Sequence, residues 1–174
     1  MAAIDLAVLG MVLEKPQSAY DIQKDVEYHH FPRWTRISVP SVYRKVLQLE
    51  REGYLRSRRV QGGKSGDKAV YSITDKGRER FQALMRDCAA APAALALDFN
   101  VMVANLNKVD KAQALELIGT LRQNLCTSAQ GVRRYAEEFS GIPLSGRTIF
   151  DQQIRLYQAL LAWLDQLEGQ LAGG

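Results

Sequence analysis

Between Arg36 and Ile73 the hydrophobic pattern changes period once, from helical to alternating, and that single change limits what the chain can fold into. Val39, Val42, Val46 and Leu49 recur at three- and four-residue spacing, so a helix from about Val39 to Glu52 has one apolar side that must be buried. Ser41, Arg44, Gln48 and Arg51 fall together on the opposite side, which is polar and positively charged. Ser38 is placed to cap the helix start, Pro40 is tolerated in its first turn, and Gly53 sits where a left-handed C-terminal cap is wanted.

Downstream, Tyr54–Val60 and Ala69–Ile73 alternate around Gln61-Gly62-Gly63-Lys64-Ser65-Gly66-Asp67-Lys68, which predicts a β-hairpin with a basic, glycine-rich tip. A helix with a cationic outer face followed directly by such a hairpin is the pattern of a winged helix-turn-helix, in which the helix enters a DNA major groove and the hairpin reaches phosphates beside it. The expected fold is mostly α with a small β-hairpin: a winged helix-turn-helix N-terminal domain over residues 1–88 and a helical C-terminal dimerisation domain over residues 89–174. Candidate DNA contacts are Arg36, Ser38, Ser41, Arg44, Gln48 and Arg51 at the helix, with Arg58, Arg59, Lys64 and Lys68 of the wing on the backbone. Tyr43 lies between the apolar and polar faces, where buried packing and phosphate contact are both open.

Charge is distributed in the same sense. Met1 to Arg86 holds 16 Lys+Arg against 10 Asp+Glu, and Asp87 to Gly174 holds 7 against 9, so a basic half precedes a slightly acidic one. Cys88 and Cys126 are far apart and lack neighbouring Cys or His at ligand spacing, which points to two buried thiols in a reducing cytoplasm and to no structural zinc. The adjacent histidines His29-His30 point apart, with no carboxylate or Cys at ligand spacing, and are read as surface or cap histidines. No cofactor is implied, and no stretch is apolar enough for a membrane span.

Read in order, Ile4, Val8, Met11 and Val12 mark a first, core helix stopping at Lys15-Pro16. Ser18 with Asp21 resembles a capping box for a second helix with Tyr20, Ile22 and Val26 inward. The loop His29–Arg36 carries Trp34, expected to close the small domain's core, and Arg33 beside Arg36 as further phosphate candidates. Thr74 caps a helix holding Phe81, Leu84, Met85 and Cys88, which Pro92 ends.

The remainder reads as all helix: an apolar segment Ala94–Leu106, a long helix from Asp110 to about Phe139, a turn at Gly141–Gly146, and a last helix from about Thr148 to Leu171. The apolar face of that last helix is wider than one neighbour covers, which implies a homodimer through Ile154, Tyr157, Leu160, Leu161, Trp163, Leu164 and Leu167. Two-fold symmetry would set paired DNA-reading helices about 34 Å apart on a palindromic operator. Phe99, Met102, Tyr157 and Trp163 are candidates to line an apolar pocket for a small aromatic effector, although plain core is the commoner role of such residues.

Leu6–Gly10, Pro16–Ile22, Ser41-Val42-Tyr43 with Leu47, Leu49-Glu50 and Glu52-Gly53, and Tyr71–Gly77 together resemble the PadR family of bacterial transcriptional regulators. Ala162-Trp163-Leu164 is similar to that family's C-terminal dimerisation region. The resemblance implies a dimeric winged-helix repressor whose last helix reaches the partner, and it carries no effector identity. Ser18-Ala19, Pro40 and the aromatic loop His29–Thr35 depart from the family's usual pattern. An adaptor that uses the same fold to bind another protein is the alternative. An enzyme is not implied: Gly62-Gly63-Lys64-Ser65 lies between strands and lacks the following helix of a phosphate loop.

Overall fold

The apolar N-terminal run folds as α1 (Ala3–Glu14), whose Val8, Leu9 and Val12 are fully or almost fully buried, and Pro16 follows its end. The computed structural model describes residues 3–61 and 68–173, and the chain divides into two units, Met1–Ala94 and Leu95–Gly174.

In the first unit a strand precedes the second helix. β1 (Gln17–Ser18) pairs antiparallel with β3 (Lys68–Ile73), which also pairs with β2 (Leu55–Val60), so the expected hairpin is part of a three-stranded sheet ordered β1-β3-β2. Gln17 stands opposite Tyr71 and Ser18 opposite Val70. Gln17 is buried, and its side-chain amide donates to the Met11 carbonyl at 3.1 Å, which satisfies a polar group that burial would otherwise penalise.

α2 (Ala19–Tyr28) starts on a complete capping box. The Asp21 N–H donates to the Ser18 hydroxyl at 3.2 Å, and the Ser18 N–H donates back to the Asp21 carboxylate at 3.3 Å. The Ser18 hydroxyl also donates to that carboxylate at 2.7 Å, and this bond above all holds Asp21 below the ordinary carboxyl range, helped by the Ser18 N–H and Lys68 against partial burial. A carboxyl depressed on folding stabilises above its unfolded value, and that contribution is lost as pH falls through the folded one. Ser18→Ala is expected to cost about 1 kcal/mol. Asp21→Asn should flatten the acid limb of the stability curve below about pH 4. Urea melts at pH 7 and pH 3 check both; equal acid limbs in wild type and Asp21→Asn would refute the linkage.

Ile22 and Val26 of α2 are buried as expected, but Tyr20 is 61% exposed because its ring turns out under the Lys24 ammonium, 4.9 Å from the ring centre. The aromatic loop contains a short helix, α3 (Phe31–Trp34), entered through His30 in the left-handed region at φ 52°. Trp34 does not close the core. It is half-buried, lies tilted at 42° against Phe31 with ring centres 4.5 Å apart, Phe31 itself packing on the core, and donates its indole N–H to the His29 carbonyl.

α4 (Val39–Arg51) buries Val42, Val46 and Leu49 against α1 and α2. Ser38 occupies the cap position but not through its side chain: Ser41 donates both its N–H and its hydroxyl to the Ser38 carbonyl. Gly53 ends the helix at φ 79°, the left-handed cap anticipated. α5 (Asp75–Ala90) is capped by Thr74, whose hydroxyl accepts from the Gly77 N–H at 3.0 Å. Leu84 is fully buried, whereas Met85 is half exposed and Cys88 exposed, so these two expected core positions lie on the uncovered side of the helix.

The second unit departs from continuous helix at its start. Residues 95–97 have no regular structure, and only α6 (Asn100–Val103) and a 3₁₀ turn (Leu106–Lys108) follow before α7 (Lys111–Glu138), which Asp110 caps. α8 (Leu144–Gly173) begins a turn earlier than expected, with the Pro143 carbonyl accepting from Gly146 and Arg147. Leu106, Ala114, Ile118, Leu121, Leu125 and Leu164 form this unit's core. Across α7 and α8, Arg122 is clamped between Asp165 and Glu168. Cys126 is half-buried rather than buried.

Candidate nucleic-acid interface

Two elements bring the basic side chains together. The residues leading into α4 and the outer face of α4 itself line one open cleft of about 600 Å³, made by Arg36, Ser38, Ser41, Arg44, Gln48 and Arg51 with Ile4, Ile37, Lys45 and Leu47. Every helix candidate read from the sequence is there except Tyr43, which is 51% exposed on the flank of α4 and does not line the cleft. Arg36 and Arg44 make no hydrogen bond or ion pair with any described residue, so their guanidinium donors remain available to a ligand. Arg51 makes one long bond, 3.4 Å to the Leu47 carbonyl.

Lys45 and Asp5 were missed. Lys45 lies on the edge of the face, and its ammonium sits 2.8 Å from Asp5 of α1, both side chains being 17% exposed. The Asp5 oxygen involved is buried without an aligned hydrogen bond, so charge proximity holds this pair. Lys45 also donates to the side-chain Oε1 of Gln48 at 3.0 Å, and the Gln48 side-chain Nε2 donates to the Glu52 carboxylate at 2.7 Å. The signal for Lys45 was its position four after Ser41 and three before Gln48; Asp5 carried none.

The wing separates two residues that are neighbours in sequence. Register pairs Arg56 with Ser72 and Arg58 with Val70 on one sheet face, and Ser57 with Tyr71 and Arg59 with Ala69 on the other. Tyr71 and Leu55 are buried on that second face, so Arg59 extends from the rim of the core side, whereas Arg56 and Arg58 share the outer side. Arg56 therefore belongs with the basic wing residues although the sequence reading left it out. Lys68 is 3.4 Å from Asp21, so part of its charge is already compensated. Lys64, with the rest of the hairpin tip, lies outside the described residues.

The α5 start fixes this arrangement to α4. The Lys76 ammonium donates to the carbonyl of Glu52 at 2.8 Å, stacks over the Tyr54 ring, and so places a cation at the negative end of α4. The Thr74 hydroxyl lies 2.8 Å from the Gly53 carbonyl and 3.1 Å from that of Tyr54.

In the second unit the effector candidates cluster: Phe99 and Trp163 stack with ring centres 6.2 Å apart, and Met102 and Tyr157 pack on the same core. Of the candidate dimer residues, Leu164 is completely buried inside the protomer and has no surface left for a partner. Ile154, Tyr157, Leu160, Leu161, Trp163 and Leu167 keep partial exposure. Among the described residues no three His, Cys, Asp or Glu side chains approach as a metal cluster would, and no helix is long and apolar enough to cross a membrane.

Residues 8–83 match the model of the "Transcriptional regulator PadR-like family". The whole chain is similar in fold to Bacillus subtilis PadR solved in complex with operator DNA, at TM-score 0.81 and 16% identity over 98% of both chains. The PadR-like transcriptional regulator BC1756 from Bacillus cereus is 26% identical, with TM-score 0.73 and 98% of both chains covered. Bacillus subtilis PadR in complex with p-coumaric acid superposes at TM-score 0.81 with 14% identity, over 97% of this chain and 95% of that one. No curated protein sequence matches.

Proposed function

We propose, from the premise that residues 8–83 are those of a PadR-like transcriptional regulator, that this chain is a dimeric repressor that binds a palindromic operator through α4 and the β2–β3 wing. The observation that carries the reading is the cleft along α4. It gathers Arg36, Ser38, Ser41, Arg44, Gln48 and Arg51 on one cationic face and leaves Arg36 and Arg44 without intramolecular partners among the described residues. Bacillus subtilis PadR binds operator DNA with the same overall fold, which supports the assignment. Selection from a random DNA pool tests it: enrichment of a two-fold symmetric site is expected, and recovery of no preferred sequence would favour the adaptor alternative.

The homodimer would form through the partly exposed apolar residues of α8, Ile154, Tyr157, Leu160, Leu161, Trp163 and Leu167, in the cytoplasm where the operator is. A small planar aromatic compound is the effector class that fits Phe99, Met102, Tyr157 and Trp163, since a flat ring can extend the Phe99–Trp163 stack. A relative solved with p-coumaric acid lends support to that class. Trp34→Phe leaves Trp163 as the sole indole. In that variant p-coumaric acid is expected to quench tryptophan fluorescence saturably and to weaken DNA binding; unchanged fluorescence and affinity would exclude this site.

A further inference from the structure

Four polar side chains form a continuous chain from α1 across the outer face of α4. Asp5 pairs with Lys45 at 2.8 Å, Lys45 donates to the side-chain Oε1 of Gln48 at 3.0 Å, and the Gln48 side-chain Nε2 donates to the Glu52 carboxylate at 2.7 Å. The chain fixes which way the Gln48 amide points. An ammonium has only donors and an ionised carboxylate only acceptors, so turning the amide over would set donor against donor and acceptor against acceptor. Its inner end is anchored. Lys45 and Asp5 are each 17% exposed, and the pair ties two helices together rather than two residues of one flexible surface.

Gln48 itself is exposed and lines the cleft between Arg44 and Arg51. With one lone pair committed to Lys45 and one N–H committed to Glu52, its amide retains one acceptor and one donor. The acceptor lies on the N-terminal side of α4 and the donor on the C-terminal side. In the major groove adenine is the single base that presents a neighbouring acceptor and donor, N7 and the N6 amino group, that such an amide meets with two bonds in the plane of one base; a G·C pair offers a comparable set only across its two bases, guanine O6 and cytosine N4. Guanine presents two acceptors, and one of them would face the Gln48 oxygen. Cytosine and thymine each satisfy a single bond.

We propose that Gln48 reads adenine in each half-site and that Asp5, acting through Lys45, is its positioning residue. The inference rests on the DNA-binding reading above and adds the base that is read and a residue on a different helix that sets the reading. Asp5 has a second effect. Its carboxylate withholds the Lys45 charge from phosphate, so that part of the face discriminates among bases rather than adding unselective affinity.

The test is selection from a random DNA pool with wild type, Gln48→Ala, Asp5→Asn, Asp5→Glu and Lys45→Met, followed by affinity measurements on the enriched site and its single-base variants. Wild type should prefer one adenine per half-site by about tenfold, the range of a two-bond contact. Gln48→Ala should abolish that preference and leave the other positions as they are. Asp5→Asn and Lys45→Met should reduce it severalfold, with Asp5→Asn steepening the salt dependence by about one phosphate contact per protomer, and Asp5→Glu should restore it. Lys45→Met cannot gain the salt effect, so it keeps base reading separate from released charge, and thermal melts identify any variant that is merely unfolded. Identical base preferences in wild type and Gln48→Ala would overturn the assignment of the reader. A lost adenine in Gln48→Ala but full preference in both Asp5→Asn and Lys45→Met would overturn the positioning role. Wild type enriching no sequence would instead defeat the regulator reading on which the inference stands.

Discussion

Gly77→Ala is expected to destabilise the N-terminal unit by about 3 kcal/mol or more, beyond the usual range for overpacking because the obstruction is backbone. A β-carbon at Gly77 would collide with the carbonyl oxygen of Tyr54 and come within 2.8 Å of the Ile73 side chain, in the turn where α4 gives way to β2. That turn cannot yield without breaking the Thr74 hydroxyl contacts to Gly53 and Tyr54 and moving the Lys76 ammonium off the end of α4. For a unit of this size the loss corresponds to a fall in melting temperature of roughly 15 °C. Gly146→Ala is the control. There the added carbon meets only the flexible end of Ile142, and helix propensity favours alanine, so a change within about 1 kcal/mol is expected. Equal melting temperatures for Gly77→Ala and wild type would show that the α4–β2 turn is not held as described.

Arg44→Ala is expected to weaken binding to the selected operator by tenfold or more, the loss of a two-bond guanine contact or of a desolvated phosphate contact. Arg44 is exposed, lines the cleft, and has no intramolecular partner among the described residues, so removing it disturbs no ion pair of the free protein and stability should hardly change. A base contact and a phosphate contact separate on further measurement. If Arg44 reads guanine, the substitution relaxes preference at one base pair; if it holds phosphate, affinity falls equally for all sequences and the salt slope drops by about one per protomer. Arg56 and Arg58, on the outer face of the wing, should follow the phosphate pattern. Lys68 should contribute less than either because Asp21 already compensates it.

α4 was legible because its four apolar positions keep strict helical spacing and its ends carry Ser38 and Gly53, so face and length follow from local rules alone. The same rules located Ser18 with Asp21, and Thr74, as caps, since capping acts over three residues. β1 escaped because two residues cannot show alternation; it is a strand only through its bonds to β3, more than fifty residues later. Asp5 escaped for the same reason, as its partner lies on another helix. Residues 94–97 were read as helix from apolar content, which gives burial tendency without hydrogen-bond pattern, and no regular structure forms there. The apolar stripes of α8 could not by themselves divide residues facing α7 from residues facing a partner, and Leu164 falls wholly to the protomer's own core.

The most direct measurement is a fluorescence-anisotropy titration of the wild-type protein and Arg44→Ala against its selected duplex and a scrambled duplex, repeated from 50 to 200 mM salt, a span over which several phosphate contacts change affinity by orders of magnitude. The account predicts tight binding to the selected duplex alone, a log–log salt slope equivalent to several phosphate contacts, and loss of tenfold or more with Arg44→Ala. Equal affinity for both duplexes, or binding indifferent to salt and to Arg44, would contradict it.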